Sequence, residues 1–255
     1  MSSVYFMVFL RFFLKEDSNF TLRKKHIMKK SISKLVLVAG IVLGTVSCKD
    51  DTKNEVNPGE AQDAAVATEE AVSYEIDTTK SSIEWKGTKP TGEHIGTIDI
   101  SEGTLMATND SIISGEVTID MNTITVLDED MEEKDRTSLE NHLKGTVEGK
   151  ETDFFNVEKY PTATFEITGV TEENGETLLQ GNLTIKEETK NIAFPVEATV
   201  EDGTLTLESE TFTIDRTDWG VNYGSKSVFD NLGDNFISDD MELKISVTAQ
   251  RSDSI

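Results

Sequence analysis

Tyr160-Pro161 divides this chain into two kinds of pattern, and the second of them leaves few folds open. A proline has no N–H to give to a β-ladder, so Pro161 belongs at the start or edge of a strand. Beyond it Ala163, Phe165 and Ile167 fall on alternate positions, the mark of a strand with one buried face. Short alternating runs then repeat to the end of the chain, spanning 163–170, 178–186, 191–200, 205–215 and 241–249. Asn174-Gly175 and Asp202-Gly203 fall between runs, where such pairs predict tight hairpins. In the run 205–215, Leu205 and Leu207 share one face and are followed by Phe212 and Ile214.

The chain before Pro161 also opens with strands. Short runs are predicted at 74–76, around Ile83 and Trp85, and at 95–100, with a turn over 87–92 containing Pro90. Glu102-Gly103 predicts a bulge or turn. In the run 113–121, Val117, Ile119 and Met121 alternate against Glu116, Thr118 and Asp120. Residues 128–143 then lose the alternation. Leu139 and Leu143 stand four apart on one helix face, so a short helix is expected over a barrel mouth. The acids Asp128, Asp130, Glu132 and Glu133 lack the glycine and twelfth-position glutamate of a calcium loop, and read as a solvated helix start. About eight hairpin-connected strands with one helical excursion favour an up-and-down barrel or a sandwich.

Charge narrows the partners. The 255 residues carry a formal net charge of −24, which argues against nucleic acid and against broad attraction to anionic lipid. One cysteine, Cys48, excludes an internal disulfide, and His26, His94 and His142 are the only histidines, so no metal site is expected.

The N-terminus reads as an address. From Met28, taken as the better start, Lys29, Lys30 and Lys34 precede an apolar run from Leu35 to Leu43 that is short for a membrane span. Small residues lead into Cys48. This resembles a bacterial lipoprotein signal over 1–47, with Cys48 as the lipidated residue, although Thr45 stands where leucine is usual. Lys49, Asp50 and Asp51 resemble a surface-export tag of lipoproteins. Removing 1–47 leaves 16 basic and 46 acidic side chains, net −30. The acidic, Ala- and Thr-rich stretch 48–72 shows no apolar period and reads as a flexible tether. The folded domain is expected at 73–250, with a tail at 251–255.

Three blocks carry a family resemblance: HLKGT…DFFNVEKYPTATFEITGV from His142, GNLTIKEETKNIAFPV from Gly181, and IDRTDWGVNY…LGDNFISDDMEL from Ile214. In order and spacing they resemble the YceI-like family of polyisoprenoid-binding, lipocalin-like periplasmic proteins, over roughly 73–250. Trp219 replaces a common Phe, Glu188 a common Gly, and residues 148–152 are inserted between the histidine and the DFF block. The resemblance implies an all-β, eight-stranded antiparallel up-and-down barrel with an elongated apolar interior for an isoprenoid lipid or quinone-like amphiphile. It also implies envelope localisation, facing the periplasm or the cell surface, and leaves a homodimer open. An eight-stranded barrel can hold one small ligand.

Trp85, Phe154, Phe155, Phe165, Phe194, Phe212 and Trp219 are the large apolar candidates for a cavity, each of which could equally pack the core. His142, Lys144 and Arg216 are candidates for a polar mouth, where cations suit a phosphate or quinone oxygen. Arg216 could instead pair with Asp215 or Asp218. No nucleophile elbow, His-x-x-x-His pair or phosphate loop supports an enzyme, and no cofactor is expected. The expectation is therefore a tethered, non-enzymatic carrier or sequestering protein. The rival is a surface structural module whose barrel is filled by its own side chains.

Overall fold

The computed structural model describes residues 54–108 and 111–252; the signal region, Cys48 and its neighbours lie outside them. Ten strands form one antiparallel sheet: β1 (Val72–Ile76), β2 (Ser82–Lys89), β3 (Gly92–Thr108), β4 (Ser111–Val126), β5 (Thr162–Glu173), β6 (Glu176–Ile185), β7 (Glu188–Glu201), β8 (Thr204–Ser209), β9 (Phe212–Asp215) and β10 (Asp240–Arg251). Among the described residues one α-helix, α1 (Glu133–Lys144), interrupts them. The sheet closes on itself through β10 and β8.

The ten strands fill eight places in the ring. β1 and β2 both lie between β3 and β10, end to end, separated by a turn at 77–81. β8 and β9 likewise follow one another along β10, broken at Glu210 and Thr211. The break moves the buried positions from odd (Leu205, Leu207) to even (Phe212, Ile214), which a single regular strand cannot do. Leu207 and Phe212 nevertheless both pair with odd residues of β10, Val247 and Leu243, so both face inward.

Local chemistry sets the corners. Asn174 and Gly175, and Asp202 and Gly203, all take positive φ, the conformation a two-residue hairpin of this hand needs. Pro161 stands one residue ahead of β5, and its carbonyl accepts from Met121 N–H. A register shift between Ile100 and Glu102 marks the bulge expected beside Gly103. The helix ends at Gly145, which has φ 72° and returns N–H bonds to Asn141 and His142 carbonyls. Leu139 and Leu143 pack against the core from above β4.

Part of the stretch read from composition as tether runs against the barrel as a strap. β7 pairs with β8 only from Val196 onward, and β9 pairs only with β10, which leaves a gap between β9 and the first half of β7. Asn54 and Val56 exchange backbone bonds with Thr213 on one side of it, and Gly59 exchanges two with Asn191 on the other. The strap then crosses the outer face to Ala65, whose N–H donates to the Ile167 carbonyl. Beneath it lie two buried asparagines. Asn182 accepts from Gln62 N–H at 3.0 Å and donates to Gln62 O at 2.7 Å. Asn191 donates to Asn182 Oδ1 and Thr168 Oγ1, and accepts from Gln62 Nε2. Alternation puts both on the outside of the barrel, and the strap is what buries them.

Candidate functional site: a cavity under the helix

One end of the barrel is roofed by α1, the Phe154-Phe155 loop and the long connection from Arg216 to Ser238. Beneath that roof is a cavity of about 430 Å³. Its walls come from β2, β3, β4 and β10, including Trp85, Ile98, Ile124 and Met241. Leu139, His142 and Leu143 face it from the helix, and Phe154, Phe155, Val221, Tyr223, Phe236 and Ile237 from the loops. The walls are mainly apolar, and the volume falls in the range of small-ligand sites.

Glycine shapes the deep wall. A Cβ on Gly96 would stand 2.6 Å from the Trp85 ring and 1.8 Å from the Thr125 carbonyl oxygen, so the indole rests against bare backbone. Trp85 Nε1 is buried without a hydrogen-bond partner. Near the rim, two histidines are held by carboxylates: His142 Nε2 lies 2.7 Å from Asp153 Oδ2, and His94 Nδ1 2.6 Å from Asp128 Oδ2. His142 also stands edge-on to Phe154 and Tyr223, at 5.1 Å from each ring centre.

The candidates from sequence separate into two sets. Trp85, Phe154, Phe155, His142 and Arg216 line the cavity. Arg216 is buried, however, and its guanidinium is spent on the connection above it. Nε donates to Ser238 O at 2.9 Å, Nη2 to Ile237 O at 3.2 Å, and Nη1 to Val221 O. Its carboxylate neighbour is Asp239 at 3.6 Å, rather than an Asp215 or Asp218 bridge. Burial pulls its pKa below the ordinary arginine value, and Asp239 opposes that. Arg216 thus organises the roof. Asp215 caps the 3-10 turn at Arg216–Trp219 by accepting from Thr217 N–H, and burial beside it raises the Asp218 carboxyl.

Lys144 does not line the cavity. It follows Leu143 by one residue, which turns it about 100° off the face that Leu139 and Leu143 present. Phe165, Phe194 and Phe212 also lie outside the lining and fill the interior. Phe194 stacks on Phe212 at 4.3 Å between centres, and Phe165 tilts against Phe194 at 5.6 Å. Trp219 is fully buried, with its N–H on the Leu183 carbonyl. Reading the sequence missed His94 and Tyr223. Tyr223 ends the IDRTDWGVNY stretch of the third family block, and His94 had only its rarity as a signal.

A second concavity, of about 550 Å³, lies around the β5–β6 hairpin and β7. Glu172, Glu176, Glu197 and Glu210 surround it, which suits an apolar tail poorly. Among the described residues no group of three or more His, Cys, Asp or Glu could hold a metal ion, and no helix is long and apolar enough to cross a membrane.

Comparison with known proteins agrees with this architecture. The chain is similar to Burkholderia cenocepacia BcnA, at 20% identity and TM-score 0.53, over 69% of this chain and 99% of that one. It is also similar to a polyisoprenoid binding domain from Saccharophagus degradans, at 11% identity and TM-score 0.49, over 71% and 99%. Campylobacter jejuni YCEI is similar at 22% identity and TM-score 0.43, over 60% and 84%. None of the curated proteins matches the sequence. The model of the YceI-like domain matches residues 74–249, from the first strand of the barrel to its last, and the chain belongs to the YceI-like family.

Proposed function

We propose that this protein binds the apolar tail of an isoprenoid lipid or quinone-like amphiphile, without catalysis, in the cavity under α1. The observation that carries the reading is the cavity itself: apolar walls, a roof of helix and loops, and polar side chains near the rim. An apolar tail gains about 0.8 kcal/mol for each CH₂ it buries there. His94 and His142, each tied to a carboxylate through one ring nitrogen, leave the other nitrogen for a polar headgroup. The lipoprotein-like signal ending at Cys48 supports a tethered carrier or sequestering protein of the cell envelope, facing the periplasm or the cell surface.

The rival reading, a structural module filled by its own side chains, draws on the Phe165–Phe194–Phe212 cluster, which does fill part of the interior. Mass spectrometry of organic extracts decides between them. The full chain is purified gently from its native envelope and extracted. A stoichiometric prenyl lipid or quinone is expected; an empty extract from protein that also fails to take up any prenyl probe favours the structural module.

A further inference from the structure

We propose that the cavity measures the tail it binds, accepting about three isoprene units and stopping longer chains at an aromatic block made of Phe165, Phe194 and Phe212. This rests on the binding reading above and goes further, since it sets a chain length.

The barrel is longer than its cavity. Twelve-residue strands such as β5 and β10 span about 40 Å at roughly 3.3 Å per residue, which a long prenyl chain could thread. Yet every strand residue lining the cavity comes from β2, β3, β4 or β10, and none from β5 to β9. Register shows what occupies that other half. Trp85 on the cavity wall pairs with Leu243, and Leu243 pairs with Phe212, so the block begins two strands around the ring from the cavity wall. From Phe212 the ring stack passes to Phe194 and on to Phe165, across β7 and β5. The block thus fills the interior on the β5–β9 side, the side that lends the cavity no strand residue.

The block is fixed in place. A Cβ on Gly181 would lie 2.2 Å from the Phe165 ring, so the ring rests on bare backbone of β6 and cannot swing that way. Phe194 and Phe212 are buried to within 2% of completely. On the cavity side, Ile98 lines the space and Ile100, two residues deeper, is already core. At about 30 Å³ per non-hydrogen atom, the share a water takes in the liquid, 430 Å³ holds about 14 atoms. Three isoprene units contain fifteen carbons. A longer tail must leave its remainder outside the mouth or displace the stack.

The test is a length series on the purified, delipidated full chain. Prenyl alcohols of ten, fifteen, twenty and forty carbons, presented in detergent micelles at a fixed ratio, compete with a fluorescent apolar dye. The dissociation constant should fall at least tenfold from ten to fifteen carbons and change less than threefold from fifteen to forty. Phe194→Ala should extend the gain to twenty carbons, tightening that probe at least fivefold against the fifteen-carbon one. Should Phe194→Ala not fold, Phe194→Leu breaks the stack and removes part of its bulk, and should shift the profile the same way by a smaller amount. Affinity that keeps rising to forty carbons in the wild-type chain overturns the ruler and leaves the binding reading intact. So does a folded Phe194 variant with an unchanged profile. Absence of binding by every probe overturns both.

Discussion

Replacing Asn182 by leucine would test whether the strap is part of the fold. Leucine matches asparagine in size but has no polar atoms. It removes the acceptor for Gln62 N–H, the donor to Gln62 O and one acceptor of Asn191 Nδ2. Asn191 keeps Thr168 Oγ1, so two strap backbone groups bear most of the loss. A buried polar group left unpaired costs about 1–3 kcal/mol, which bounds the total at about 2–6. The strap has an escape, however. If it lifts off, water pairs both groups, and the cost cannot exceed the free energy with which the strap docks. The expected destabilisation is about 2–3 kcal/mol in urea unfolding of the full chain. Hydrogen exchange should show the amides of Val56, Gly59 and Ala65 losing protection together, although leucine touches none of their bonds. The control is a chain beginning at Ala71, just ahead of β1. There the same substitution should cost less than about 0.5 kcal/mol, because the two bonds to Gln62 no longer exist and water replaces the one to Asn191 once the strap is gone. An equal cost in both chains, or unchanged protection in the full one, would refute the strap's role.

Two further predictions concern single side chains. Arg216→Met should destabilise the protein by about 3–5 kcal/mol, because it strands three roof carbonyls and leaves Asp239 buried beside an apolar chain. Arg216→Lys should recover only part of this in thermal melts, since an ammonium lacks the planar fork; full recovery would sink the argument. Asp77 is held down to about 2, first by the Thr79 hydroxyl and then by Lys80. Its folded pKa lies below the unfolded value near 4, so its contribution to stability is complete above that value and is lost as pH falls from 4 through 2. Asp77→Asn should flatten that part of the acid limb, and a carboxyl titration midpoint near 4 by NMR would count against it.

Much of the barrel is legible in single residues. Asn174-Gly175 and Asp202-Gly203 mark hairpins because few other pairs tolerate two consecutive positive φ values. The β8–β9 break was also written in the chain, as the change from odd to even apolar positions between Leu207 and Phe212. A reading that looked only for alternation passed over it as one strand. The strap was not legible. Val56, Gly59, Gln62 and Ala65 follow no period, because a segment crossing strands obliquely meets a new partner at each step. At the site, alternation tells which side chains point inward but not which side of the interior they fill. Trp85 and Phe194 therefore look alike in sequence, though one walls the cavity and the other belongs to the block beyond it. Arg216 looked like a ligand group because its three acceptors are main-chain carbonyls, which no side-chain pattern advertises.

β10 pairs with β1, β2, β8 and β9. That makes the order of synthesis matter. Until the chain has been made as far as Arg251, four strands lack a neighbour and the ring stands open along its length. An incomplete chain presents those edges together, in the form most prone to pair with another copy. Its long-range pairings also place it among slowly folding topologies. Such a protein gains from a partner that holds the growing chain apart until the final strand is delivered. A chain ending at Ile245 would lose every pairing of β10 with β1 and with β8, and the ring would stay open over that length.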